Sequence, residues 1–196
     1  MTPLGHLAVS YSLAKGTVAR STPHAAALPA LIGGGLAPDV DFLLLGLPNF
    51  NALHRSLTHN LFFVLAVAGL CALLVFLRRG VLLRQGTSSG RKGGSVTTNQ
   101  AVSLAVFLAA VTGGFAHLFL DAILDSNASN GVGVAALWPL SEAFFSPFNL
   151  AQQRCSGWEN PLDATLCNLP LILYEVPFYL LAALLWWRVR KGVAER

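Results

Sequence analysis

The feature that most constrains this chain is a stretch with no charged side chain, Leu61–Leu77, closed by Arg78-Arg79. A bilayer core about 30 Å thick takes roughly 20 apolar residues of helix, with about 17 as a lower limit. A second such run, Ala101–Leu124, is interrupted only by His117 and Asp121. A third, Leu169–Trp187, carries Glu175 and Pro177 and ends in Trp186-Trp187-Arg188, an aromatic and basic anchor of the kind found at membrane interfaces. Charged residues make up 11% of the chain, against about 25% in a soluble domain. These runs predict three transmembrane helices.

The first fifty residues add two further segments. Pro3–Ala19 has helical character, with Pro3 at a first-turn position. Ala25–Leu47 is apolar except for Pro38-Asp39-Val40-Asp41. Its Gly33-Gly34-Gly35 and Pro38 oppose a continuous helix and predict a broken or re-entrant segment, buried against protein. Whether residues 3–19 and 25–47 cross the bilayer or dip into it stays open. The expected fold class is all-α: a polytopic helical membrane protein forming one domain over residues 1–196. Within it, the Gly-, Ser- and Thr-rich residues 80–99 read as a basic cytoplasmic linker. Residues 126–168, with Trp138-Pro139-Leu140 and Phe144–Phe148, read as an outward-facing cap loop.

Basic residues set an orientation. Arg78, Arg79, Arg84, Arg91 and Lys92 follow the first long run; Arg188, Arg190, Lys191 and Arg196 follow the last; Lys15 and Arg20 end the first segment. With those ends cytoplasmic, only Arg55 and Arg154 face outward. The net charge of +4 is then topological and calls for no nucleic-acid partner. The expected localisation is a prokaryotic inner membrane, with a cytoplasmic C-terminus and the polar clusters described next on the outer side. Met1–His6 has no basic n-region leading to a cleavage site, so no removable signal peptide is expected.

Two clusters carry the candidate chemistry. His54-Arg55-Ser56-Leu57-Thr58-His59 stands directly ahead of the first long run. A turn into the helix, N-capped by Thr58 or Ser56, would let both imidazoles face one centre, and the guanidinium of Arg55 suits a phosphate or carboxylate. In the second cluster His117 and Asp121 lie four residues apart, on one helix face, the spacing that grips a single ion. Asp125 follows two turns later, about 80° around. An ionised Asp at that depth costs about 2.5–3.5 kcal/mol and wants a partner. The plain alternative is a helix–helix hydrogen bond, His117 to backbone or Asp121 to Arg55. Asp39 and Asp41 can reach one centre from a turning segment after Pro38, and His6 faces the same side.

The metal-ligand candidates are therefore His6, Asp39, Asp41, His54, His59, His117 and Asp121. Arg55, Thr58 and Asp125 are the candidates for catalysis, with Asp125 or Asp41 as general base. Cys71, Cys155 and Cys167 make no zinc motif, and a Cys155–Cys167 disulfide in the outward loop is chemically allowed. Imidazole and carboxylate ligands in this number suit one or two divalent transition-metal ions, zinc foremost and manganese or iron next.

The combination of His6, Pro38-Asp39-Val40-Asp41, His54-Arg55-Ser56-Leu57-Thr58-His59 and His117-Leu-Phe-Leu-Asp121 resembles the predicted membrane-bound metal-dependent hydrolases of bacteria and archaea. The resemblance covers roughly residues 1–140, with Trp138-Pro139 in place of the family's aromatic-proline element. One departure is Asn60, where many relatives carry Ser after the second His. The resemblance implies an integral membrane protein whose His and Asp side chains assemble a metal site, by analogy with zinc-dependent phospholipase C-like enzymes. The expected activity is hydrolysis of an ester or phosphoester in a lipid or amphiphile at the outer interface. A proton- or metal-coupled transporter and a membrane protein with a structural metal are the alternatives. The oligomeric state is not legible.

Overall fold

The computed structural model describes residues 2–17, 26–44, 55–87, 96–124, 126–127, 131–147, 162, 166, 169 and 171–194. Five α-helices dominate them: α1 (Pro3–Thr17), α2 (Ala27–Leu36), α3 (Leu61–Thr87), α4 (Val96–Leu124) and α5 (Leu171–Ala194). A 3-10 helix, Ala37–Leu44, continues directly from α2. The one sheet among the described residues is a two-residue ribbon pairing Ser126-Asn127 with Gly131-Val132. The fold is all-helical, as expected. Two of its helices hold segments long and apolar enough to cross a membrane, Leu61–Val81 and Thr98–Leu124. The third expected span forms α5, which stays helical through Pro177.

Local chemistry explains where these helices begin. Thr2 accepts the Gly5 backbone N–H on its Oγ1 at 3.2 Å and so caps α1, with Pro3 at the first helical position. Asn60, not Thr58 or Ser56, caps α3: its Oδ1 accepts the Phe63 N–H at 2.8 Å. The amide of the same side chain donates to the carbonyls of Ser56 and Leu57 at 2.7 and 2.9 Å. The departure from the family's Ser is thus a working helix cap, and Thr58 is left for the site. The second segment changes from α-helix to 3-10 helix at Ala37, where Pro38 has no N–H to give the preceding turn, while Gly33-Gly34-Gly35, expected to oppose a helix, lie inside α2.

The expected linker over residues 80–99 is mostly helix. α3 runs on through Gly80 to Thr87, and α4 already starts at Val96. Arginine is a good helix former, so Arg78 and Arg79 extend α3 past the apolar run. The side chain of Asn99 donates to the Phe76 carbonyl at 3.1 Å and ties the start of α4 to α3.

Small residues set the packing. α4 passes between α2 and α3 at backbone distance. A Cβ on Gly113 would collide with the Leu31 carbonyl and the Gly35 nitrogen, one on Gly34 with the Ala110 backbone, and one on Gly114 with the Val64 side chain. Lipid tails are as apolar as leucine, so helices in a bilayer gain little by burying leucine and associate through close contact at small residues. The large apolar side chains point outward instead: Leu70, Leu73, Leu74 and Leu77 on α3, and Leu104 and Leu108 on α4, are exposed. Contiguous exposure of this kind marks a lipid- or partner-facing surface.

At the N-terminus, Glu175 of α5 is buried and accepts hydrogen bonds from the Thr2 backbone N–H, the Thr2 hydroxyl and the Tyr179 hydroxyl. That polar clasp fixes α1 to α5 and sets the position of His6, one turn further along α1.

Candidate metal centre

Four separate pieces of chain deliver polar side chains to one buried point. His6 comes from α1, Asp39 and Asp41 from the 3-10 helix, Arg55, Thr58 and His59 from the turn before α3, and His117 and Asp121 from the C-terminal third of α4. All eight are buried, His59 and Asp121 completely. His54 and Asp125 lie outside the described residues, as do Cys155 and Cys167.

The centre is built on three atoms. His59 Nε2 and His117 Nε2 are 3.2 Å apart. Asp121 Oδ2 is 3.3 Å from the first and 3.4 Å from the second. Asp39 Oδ1 lies close by, 3.7 Å from His59 Nε2 and 3.6 Å from His117 Nε2. Zinc bonds of about 2.0–2.2 Å in a tetrahedron separate neighbouring donors by about 3.3–3.6 Å. The edges of the His59–His117–Asp121 triangle therefore suit three corners of one tetrahedral ion.

The imidazole hydrogens support that fit. His117 Nδ1 donates to the Gly35 carbonyl at 2.7 Å, which leaves Nε2 of the neutral ring with its lone pair turned inward. On His59 the outer nitrogen faces Thr58 Oγ1 at 3.2 Å, and Thr58 donates onward to Asp41 Oδ2 at 2.9 Å. The Asp41 carboxylate thus faces the far side of the His59 ring from the three-atom centre, 3.7 Å from Nδ1. A ring nitrogen held by a carbonyl or carboxylate on one side, with the other aimed at a common point, is the usual arrangement of metal-bound histidine. Burial alone would push His59 down, but hydrogen bonds to Asp121 and Asp39 and the Asp121 charge raise it above the ordinary imidazole value. The field at Nε2 calls for a positive charge, whether a proton or a metal ion.

His6 and Arg55 close the remaining sides. The His6 ring stacks on His117 with centroids 3.5 Å apart, and its Nε2 lies 3.0 Å from Asp121 Oδ1. His6 Nδ1 and Asp39 Oδ2 are buried without a hydrogen-bond partner among the described residues. His6, Asp39 and His117 form a second set with donor spacing suited to an ion, but it shares His117 with the first. Arg55 sits at a positive φ of 69°, a region uncommon for a residue with a Cβ. That backbone turn brings its Nη1 to 2.7 Å from Asp121 Oδ2. The plain alternative is therefore met as well, by a hydrogen bond from His117 to backbone and an ion pair of Asp121 with Arg55, and these surround the three-atom centre instead of replacing it.

The segment after α4 holds this turn in place. The Ala135 N–H donates to the Arg55 carbonyl and the Leu61 N–H to the Ala136 carbonyl, each at 3.0 Å. Val134 and Phe145 exchange backbone hydrogen bonds at 3.1 and 2.8 Å and fold the segment into a cap. Sequence reasoning missed three supports: the Gly35 carbonyl, the Asn60 cap and the Ala135–Arg55 pairing. Only Asn60 left a signal, a capping residue directly before the first apolar position of a helix.

Helices fit to cross a bilayer, closed around a buried His and Asp centre at one end, define a membrane protein with a candidate metal site. The chain belongs to the YdjM inner membrane protein family, whose model matches residues 1–192. It is similar to inner membrane protein YbcI of Escherichia coli (strain K12), 29% identical over 200 residues that cover 96% of this chain and 99% of that protein. No solved structure matches it.

Proposed function

We propose that the chain is a metal-dependent hydrolase of the inner membrane, acting on an ester or phosphoester of a lipid or amphiphile. The observation that carries this reading is the triangle of His59 Nε2, His117 Nε2 and Asp121 Oδ2, with edges of 3.2–3.4 Å. Zinc is the leading ion, and the sharing of His117 between the two candidate sets favours one ion over two. A bound divalent ion supplies Lewis acidity toward the substrate oxygen and lowers the pKa of water toward neutrality.

The chain's own residues do the rest. His59 and His117 hold the ion through nitrogens oriented by Asp41 with Thr58 and by Gly35. Asp121 balances its charge, and Asp39 is the ligand able to swing away, since its second oxygen has no hydrogen-bond partner among the described residues. Arg55 steadies an anionic group by exchanging Asp121 for it, and Asp125 is the candidate general base. We read the metal end as the outer face, because all but two basic residues belong to segments on the other side. α5 is a third span in this reading.

A structural ion is the second reading, and the burial of the site favours it specifically. The test is elemental analysis of detergent-purified protein beside His59→Ala and Asp121→Ala, followed by X-ray absorption of the metal-loaded wild type. Near-stoichiometric zinc, lost in both variants, with three protein donors and one water supports the hydrolase. Four protein donors with no lipid phosphoesterase activity leaves the structural role, and no metal after reconstitution overturns both.

A further inference from the structure

A cavity of about 280 Å³ is lined by Ser56, Ala135, Trp138, Glu142 and Phe144. Ser56 adjoins Arg55 in the turn before α3, and Ala135 is the residue whose N–H holds the Arg55 carbonyl. Three residues of chain separate Ser56 from His59, so the cavity wall lies within about 10 Å of a candidate ligand. The cap contributes the other three side chains. Two are aromatic and the third is a carboxylate. Glu142 is exposed and makes no ion pair among the described residues.

An aromatic face attracts a cation through its quadrupole, and paired aromatic walls with an acid are the usual way to hold an alkylammonium group. We infer that this cavity binds the ammonium group of an amino-alcohol phosphoester whose phosphate lies toward Arg55 and the metal centre. The inference rests on the hydrolase reading for the placement of the phosphate but not for the ammonium. It narrows the substrate class to zwitterionic esters and sets anionic ones such as glycerol phosphate aside. Glu142 supplies the charge, and Trp138 and Phe144 supply the aromatic lining.

Calorimetric titration of detergent-purified protein with phosphoethanolamine and with glycerol phosphate tests this. The wild type should bind phosphoethanolamine at least tenfold more tightly. Glu142→Gln, exposed and isosteric, should reduce that preference to about twofold or less. Phe144→Leu, which keeps bulk but removes the ring face, should weaken phosphoethanolamine by roughly three- to thirtyfold. Equal affinity for the two esters, or a preference that survives both substitutions, overturns the inference. The zinc content of each sample separates this result from the hydrolase reading: the ammonium preference should persist in metal-free protein, and both variants should retain wild-type zinc. Monomeric dihexanoyl-phosphatidylethanolamine distinguishes the source of the group. Tighter binding than phosphoethanolamine supports a lipid headgroup, and equal binding supports a soluble ester.

Discussion

Replacing Thr58 with valine probes the metal centre without touching a candidate ligand. The two side chains are nearly the same size, and Thr58 is buried, so the change removes a hydroxyl and little else. That hydroxyl donates to Asp41 Oδ2 at 2.9 Å and lies 3.2 Å from His59 Nδ1, so it is the link through which the carboxylate orients the ring. A hydrogen bond to a charged group contributes about 1.5–3 kcal/mol. If all of it acts on the ring's orientation, metal affinity falls by about 10- to 150-fold at 1.4 kcal/mol per decade. Loss of the partner that orients a metal-bound histidine costs about 10- to 100-fold on independent grounds. The two ranges coincide. Competition for zinc between the purified protein and a chromophoric chelator measures the change, with helicity by circular dichroism as the control. Thr58→Ser keeps the hydroxyl and should remain within about threefold of wild type. An unchanged affinity in Thr58→Val would show that Asp41 and Thr58 do not orient His59, and the assignment of Asp41 as a positioning residue would fall.

Three further predictions follow from the packing and the electrostatics. Gly113→Leu should lower the detergent thermal midpoint sharply and abolish metal binding, because its side chain must displace the Leu31 and Gly35 backbone; Gly33→Ala, with nothing within 4 Å, should be neutral or gain about 0.5–1 kcal/mol. Asn60→Ala should cost about 0.5–2 kcal/mol as a lost helix cap, with Asn60→Ser recovering most of it, read from the same thermal melts. Zinc affinity should weaken as pH falls, with the loss already under way above pH 6.5, since the ligand must be neutral and His59 is raised above the ordinary imidazole value. In metal-free protein the sign reverses: a raised histidine stabilises the fold fully below its unfolded value and loses that contribution as pH climbs through the folded one. A stability advantage of metal-free wild type over His59→Gln that grows with rising pH would contradict the carboxylate surroundings of His59.

The membrane class was legible from the sequence because it depends on local quantities. An unbroken apolar run such as Leu61–Leu77 must satisfy its own backbone, and a helix is the way a single segment can do so in lipid. Pro38 ended the α-helical part of the second segment for a similarly local reason, although the glycines before it stayed helical, and the i, i+4 spacing put His117 and Asp121 on one face. Helix propensity carried α3 and α4 into residues that looked like linker, where the apolar pattern had stopped but nothing obliged the helix to end. The closeness of the centre was not legible. It depends on Gly113 and Gly114 letting α2 and α3 approach α4 until Gly35 can orient His117, a contact between residues 82 positions apart. Nor could spacing reveal that Asp41 faces the outer nitrogen of His59 while Asp39 faces the inner one. Neighbours in sequence take opposite sides of a ring only when the 3-10 helix and the turn before α3 are docked against each other. The residue types therefore determined which chemistry was available, and tertiary packing decided which atoms share it.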